Sequence, residues 1–142
     1  MSSYKHILVG LDLSDESSLV LRKAQSIAND CNADISIAHV VEPLAFAYGG
    51  DMPIDLSEAQ SAMEEQAKSR LNKLAAEFNV KTREQVIAVG STASELHRLA
   101  EDNNADLIIV GSHGRHGLAL LLGSTANGVL HGAKCDVLAV KV

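Results

Sequence analysis

The residues with the most chemical potential lie in one stretch. Val110-Gly111-Ser112-His113-Gly114-Arg115-His116-Gly117 leads through a leucine run to Gly123-Ser124-Thr125. Before it, Asp106-Leu107-Ile108-Ile109-Val110 reads as a fully buried parallel strand. After it, Ala126, Val129, Leu130 and Ala133 share one face of a short helical pattern. Phosphate groups favour a strand, then a glycine-rich loop, then a helix. Glycines let the backbone come close, and unpaired N–H groups at a helix start present donors at its positive end. Ser124 or Thr125 would add a hydroxyl at the helix N-cap.

The spacing excludes two better-known phosphate loops. A Walker A loop needs a lysine directly after its last glycine, where this chain has Ser124. The dinucleotide GxGxxG packs its glycines into the first strand–helix unit. On spacing alone, a connection that binds nothing is an equal reading. Arg115 and His116 could neutralise phosphates or point into solvent. His113 and His116 lie three apart with no third ligand spaced near them, so a metal site is the lesser reading. Ser112, in Gly-Ser-His-Gly, lacks the Gly-x-Ser-x-Gly spacing of a nucleophile. No positioned lysine or general base stands out, so no catalytic residue is assigned.

The elements that must hold this stretch alternate along the chain. Lys5 to Leu11 is expected as the first strand, followed by a helix with Ser14 as N-cap and Val20, Ala24, Ile27 and Cys31 on its apolar face. Asp34 to Val41 is the second strand. Glu42 to Leu56 holds both prolines and Gly49-Gly50 and reads as a surface loop. Ser57 is expected to cap a long helix carrying Ala59, Met63, Ala67, Leu71, Leu74 and Phe78 on one face. Val80 to Val89 is the third strand. Thr92 with Glu95 matches a capping box at the next helix. Asp136 to Val142 is the fifth strand. The alternation predicts an α/β fold, a doubly wound parallel sheet with helices on both faces.

The glycine stretch resembles the nucleotide loop of the universal stress protein family, whose pattern is Gly-x-x-Gly, nine residues, then Gly-Ser/Thr. Here residues 115–122 make the gap eight. The likeness extends over nearly the whole chain, as a domain spanning residues 1–142. It includes the opening Tyr4-Lys5-His6-Ile7-Leu8-Val9-Gly10-Leu11-Asp12-Leu13-Ser14, the strand end Ala38-His39-Val40-Val41, and the closing Cys135-Asp136-Val137-Leu138-Ala139-Val140. The resemblance implies a Rossmann-like fold of the adenine nucleotide alpha hydrolase type, with strand order 3-2-1-4-5. Ligands of such sheets bind where the order reverses, here between strands 1 and 4.

That places Asp12, ending strand 1, beside Gly111, ending strand 4. Asp12 then faces ribose hydroxyls or a phosphate-bound Mg²⁺; read without the resemblance, it is a helix-start carboxylate near Ser14. The resemblance implies a backbone contact from Val40 to adenine and a pocket position for Gly10. The expected nucleotide site is Gly10, Asp12, Val40, Gly111, Ser112, His113, Gly114, Arg115, His116, Gly123, Ser124 and Thr125, with ATP and Mg²⁺. His39 reads as a structural histidine. The family pairs its last strand antiparallel across a dimer, and an apolar edge strand invites such pairing. Val137, Leu138, Ala139, Val140 and Val142 are therefore the expected homodimer interface. The function implied is an ATP-binding regulatory homodimer of the stress response. The alternatives are a nucleotide-free interaction dimer and a slow, partner-dependent ATPase or phosphotransfer enzyme.

Composition bounds the rest. The 142 residues suffice for one domain, and 46% hydrophobic with 21% charged residues is ordinary for a globular protein. A net charge of -6 disfavours nucleic acid and anionic membrane as partners. There is no signal-peptide pattern and no run long enough to span a bilayer, so a cytoplasmic protein is expected. Cys31 and Cys135 are expected as free, packed thiols.

Overall fold

A computed structural model describes residues 4–43, 56–112 and 124–142. Among the described residues five strands and four helices alternate: β1 (His6–Gly10), α1 (Ser17–Cys31), β2 (Asp34–Val41), α2 (Ser57–Glu77), β3 (Thr82–Val89), α3 (Thr92–Asp102), β4 (Leu107–Gly111), α4 (Ser124–Leu130) and β5 (Asp136–Val140). The strands form one parallel sheet in the order β3-β2-β1-β4-β5, as expected.

The apolar runs are continuous because both faces of the sheet are covered. Successive side chains on a strand point to opposite faces. Ile7, Val9, Ile35, Ile37, Leu107 and Ile109 point to one face, where Val20, Leu21, Ala24 and Ala28 of α1 and Ala67, Leu71 and Ala75 of α2 meet them. Leu8, Ala38, Val40, Ile108 and Val110 point to the other, under Leu96, Leu99 and Ala100 of α3 and Val129 of α4. The register aligns the layers: Val9 sits between Ile37 and Ile109, and Leu8 between Ser36 and Ile108.

Three helices end by the same device. Asn32, Asn79 and Asn104 adopt left-handed backbone, with φ of 56°, 52° and 55°. The next residue then donates to a carbonyl five positions back: Ala33 to Ala28, Val80 to Ala75 and Ala105 to Ala100, at 2.8, 2.9 and 2.9 Å. This closes orphan carbonyls and sets small apolar pairs together before each strand begins. Asparagine tolerates this conformation better than other side chains.

Helix starts depart from expectation. Ser14 is not the cap of α1: Glu16 holds that place, with no side-chain cap bond. Ser57 is the first residue of α2, preceded by Leu56. Thr92 is itself the first residue of α3, so Glu95 lies one position too late for a capping box and pairs with Arg98 at 2.7 Å instead. β1 is shorter by a residue at each end than Lys5 to Leu11, and β3 starts at Thr82 because the left-handed Asn79 turn precedes it. Ala59 is exposed, as is Leu130, so the expected inward faces of α2 and α4 are narrower than their patterns. Cys31 and Cys135 are free thiols and half-buried. No helix among the described residues is long and apolar enough to cross a membrane.

Candidate functional site

The order reverses between β1 and β4, and their carboxyl ends lie side by side. Gly10, Asp12, Gly111 and Ser112 therefore come together at one sheet end, with Val40 on the adjacent β2. His113, Gly114, Arg115, His116 and Gly123 lie outside the described residues. The backbone of Ser124 and Thr125 opens α4.

Asp12 is held in one place. Its Oδ1 accepts from the Ser14 N–H at 3.0 Å, the Ser14 hydroxyl at 2.7 Å and the Ser17 hydroxyl at 3.1 Å. Leu13 between them is left-handed, with φ 61°, and only 7% exposed. A non-glycine residue there costs roughly 1–2 kcal/mol, offset here by burial of the leucine side chain and by those three bonds. The helix-start reading of Asp12 is thus observed, and it leaves Oδ2 outside that cluster of bonds. Ser17 was not legible from the sequence. It occupies a position of the buried face of α1 along with Val20, Leu21 and Ala24, and it is 2% exposed. A hydroxyl where the pattern wants an apolar group was the available signal.

His39 prepares the same turn. Its Nδ1–H donates to the Leu11 carbonyl at 2.7 Å, fixing the chain one residue before Asp12. This is the structural role expected of it. The last β1–β2 bond runs from Leu11 N–H to the Ala38 carbonyl at 2.9 Å. The backbone polar groups of Val40, two residues on, point the same way by strand alternation and lie past that final bond. The Val40 side chain is buried among the α3-side core. Its backbone, not its side chain, is what it offers to a ligand.

Gly10 has a packing reason to be glycine. A Cβ there would lie 2.9 Å from Leu96 Cδ1 and 3.2 Å from Val110 Cγ1, and Leu96 is almost fully buried. Ser112 is committed to the sheet: its N–H donates to the Val140 carbonyl at 2.7 Å and its Oγ accepts from the Val142 N–H at 3.2 Å. α4 is fixed against α3, with a Cβ at Gly128 only 3.1 Å from Ala93 Cβ and the His97 Nε2–H donating to the Val129 carbonyl at 2.7 Å.

A cleft of about 320 Å³ lies elsewhere, against the amino ends of β4 and β5. His97, Glu101, Lys134 and Cys135 line it over Ala105 and Ile108. Its charged groups are already paired, with Lys134 Nζ 2.7 Å from Glu101. Burial pushes the Cys135 thiol upward, with Asp136 and Asp106 adding to the shift, so the thiolate is disfavoured. Among the described residues no three His, Cys, Asp or Glu side chains converge to hold a metal. At the carboxyl end Asp12 is a described carboxylate that a Mg²⁺ held on phosphate oxygens could share. Magnesium accepts that arrangement, since it keeps most of its water and takes one or two carboxylates.

Comparison with known proteins bears on this geometry. The model of the Universal stress protein family matches residues 3–141. Universal stress protein A homolog 2 of Coxiella burnetii is 43% identical, covering 100% of this chain and 98% of its own. Among solved structures, the hypothetical protein MJ0577 superposes with a TM-score of 0.83 at 27% identity, covering 99% of this chain and 98% of that one. A universal stress protein in complex with cAMP superposes with a TM-score of 0.63 at 30% identity, covering 98% of each.

Proposed function

The chain belongs to the universal stress protein family, and from that premise we propose that it is a cytoplasmic regulatory homodimer that binds ATP with Mg²⁺. The observation that carries the reading is the juxtaposition at the β1/β4 switch. An anchored carboxylate, Asp12, ends one strand, and the glycine segment that begins at Gly111 ends the neighbouring one. Open α/β sheets hold their ligands at that point. The relative solved with cAMP supports an adenine nucleotide as the ligand class.

In this reading each group has one task. Oδ2 of Asp12 meets a ribose hydroxyl or the Mg²⁺. The Val40 backbone meets the adenine edge. The amides of the segment from Gly111 through Gly114 to Gly123, with Ser124 and Thr125, meet the phosphates, and Arg115 and His116 neutralise charge. Gly10 lines the pocket and, lacking a Cβ, keeps α3 close beneath it. The homodimer forms through the open edge of β5, where Val137, Leu138, Ala139 and Val140 are half-buried within one chain and Val142 follows. Nucleotide occupancy would set which surface this dimer shows to a protein partner.

Gly114→Val tests the reading. The added branched side chain bars phosphate from the backbone. The variant should lose MgATP binding at least a hundredfold and remain a dimer by light scattering. Undiminished affinity in the variant would place the phosphates elsewhere.

A further inference from the structure

The three donors on Asp12 Oδ1 are not equivalent. The Ser14 N–H and hydroxyl, at 3.0 and 2.7 Å, come from an exposed residue, where water competes for the same oxygen. The Ser17 hydroxyl bond is longer, at 3.1 Å, but Ser17 is 2% exposed. That bond is the firmer restraint, because breaking it strands a buried hydroxyl. The carrier of the hydroxyl is also fixed. The Ser17 N–H donates to the Ser14 carbonyl at 3.1 Å. Ser17 opens the face of α1 that runs through Val20, Leu21, Ala24 and Ala28 into the core. A carboxylate oxygen has about two lone-pair sites. Three donors fill Oδ1, which leaves Oδ2 for a ligand.

We propose that Ser17, acting through Asp12, is a positioning residue for the nucleotide: it holds the carboxylate in the orientation that offers Oδ2. The proposal rests on the nucleotide reading above and deepens it. Asp12 then gives the ligand a single oxygen, so it meets one ribose hydroxyl or one coordination position of Mg²⁺ and does not chelate. A side chain ordered before binding spares the ligand that ordering cost. Without the Ser17 hydroxyl, only the exposed Ser14 bonds restrain the carboxylate, and the ligand has to order it.

The test is calorimetric titration of the nucleotide-stripped full chain with MgATP. Ser17→Ala removes the donor and little volume, and should weaken binding about three- to tenfold. In an Asp12→Ala background the same substitution should change affinity by less than about twofold, because the group it positions is already gone. Ala28→Gly, at the far end of the same helix face, controls for stability: its thermal midpoint should fall while its affinity stays within about twofold. Wild-type affinity in Ser17→Ala would overturn the proposal and leave the nucleotide reading standing. So would an equal loss from Ser17→Ala in the Asp12→Ala background, or an equal loss in Ala28→Gly. Absence of binding by the wild-type chain would remove the nucleotide reading, and this proposal with it.

Discussion

The two ends of the same strands are built differently. At the amino end, polar groups are spent on the fold. Asp106 accepts from the N–H groups of Lys5 and His6, at 2.9 and 3.1 Å. The His6 ring is 3% exposed and bonds on both sides, donating through Nδ1 to the Asn103 carbonyl at 3.0 Å and meeting Ser36 Oγ through Nε2 at 2.7 Å. The Tyr4 hydroxyl donates to Asp136 at 2.7 Å, which raises the tyrosine pKa and staples the start of β1 to the start of β5. At the carboxyl end, Asp12 has one oxygen anchored and Leu13 is held in a strained conformation. Buried polar groups that close on one another stabilise. A carboxylate fixed through one oxygen, with the other outside those bonds, is available to a ligand. The cleft near the amino end therefore ranks below the carboxyl end as a site, although it has the volume for a small ligand.

Substitutions at the two ends should separate binding from stability. The largest effect is that of Gly114→Val, with at least a hundredfold loss of MgATP affinity and a thermal midpoint close to wild type. Next comes His6→Ala, which strands the buried Ser36 hydroxyl and removes the donor to the half-buried Asn103 carbonyl. Urea unfolding should show a loss of about 2–3 kcal/mol, with nucleotide affinity within twofold. If His6→Ala instead weakened the nucleotide tenfold at unchanged stability, the division between the two ends would be wrong.

Asp12→Ala should act the other way. It removes the carboxylate proposed to meet the ligand and should weaken MgATP about tenfold in calorimetry, the value of a hydrogen bond to a charged group. Its stability loss should be near 1 kcal/mol, from the Ser14 and Ser17 bonds. The smallest effect belongs to neither end. Arg98 pairs with Glu95 and Asp102 on the exposed face of α3. Arg98→Ala should move the unfolding midpoint by no more than about 0.5 kcal/mol and become neutral at high salt.

Much of this was legible in the sequence. The alternation of apolar runs gave five strands and four helices. The resemblance to the family gave their order, which composition and periodicity cannot supply. Asp12 and Gly111 were placed side by side correctly because strand direction and the switch point constrain both. The helix starts differ at Thr92 and Ser57, each one position past the cap, and at Ser14, two positions before it, since the sequence carries no register. Ser17 is hard to read from the sequence because serine is usually exposed and its burial depends on where Asp12 lands in space. The pocket position of Gly10 comes from the resemblance; the sequence did not show that a Cβ there would press on Leu96 and Val110. That packing joins α3 to the sheet across more than eighty positions of chain. His39 was read correctly, because a histidine near a strand end most often finds a backbone partner.

The central claim is that the carboxyl end of β1 and β4 holds an adenine nucleotide despite the eight-residue gap. Calorimetric titration of the purified, nucleotide-stripped protein with MgATP tests it most directly. The account predicts micromolar affinity near one nucleotide per chain, with a matching rise in thermal midpoint. The absence of both heat and thermal stabilisation at millimolar MgATP would contradict it and favour the nucleotide-free interaction dimer instead.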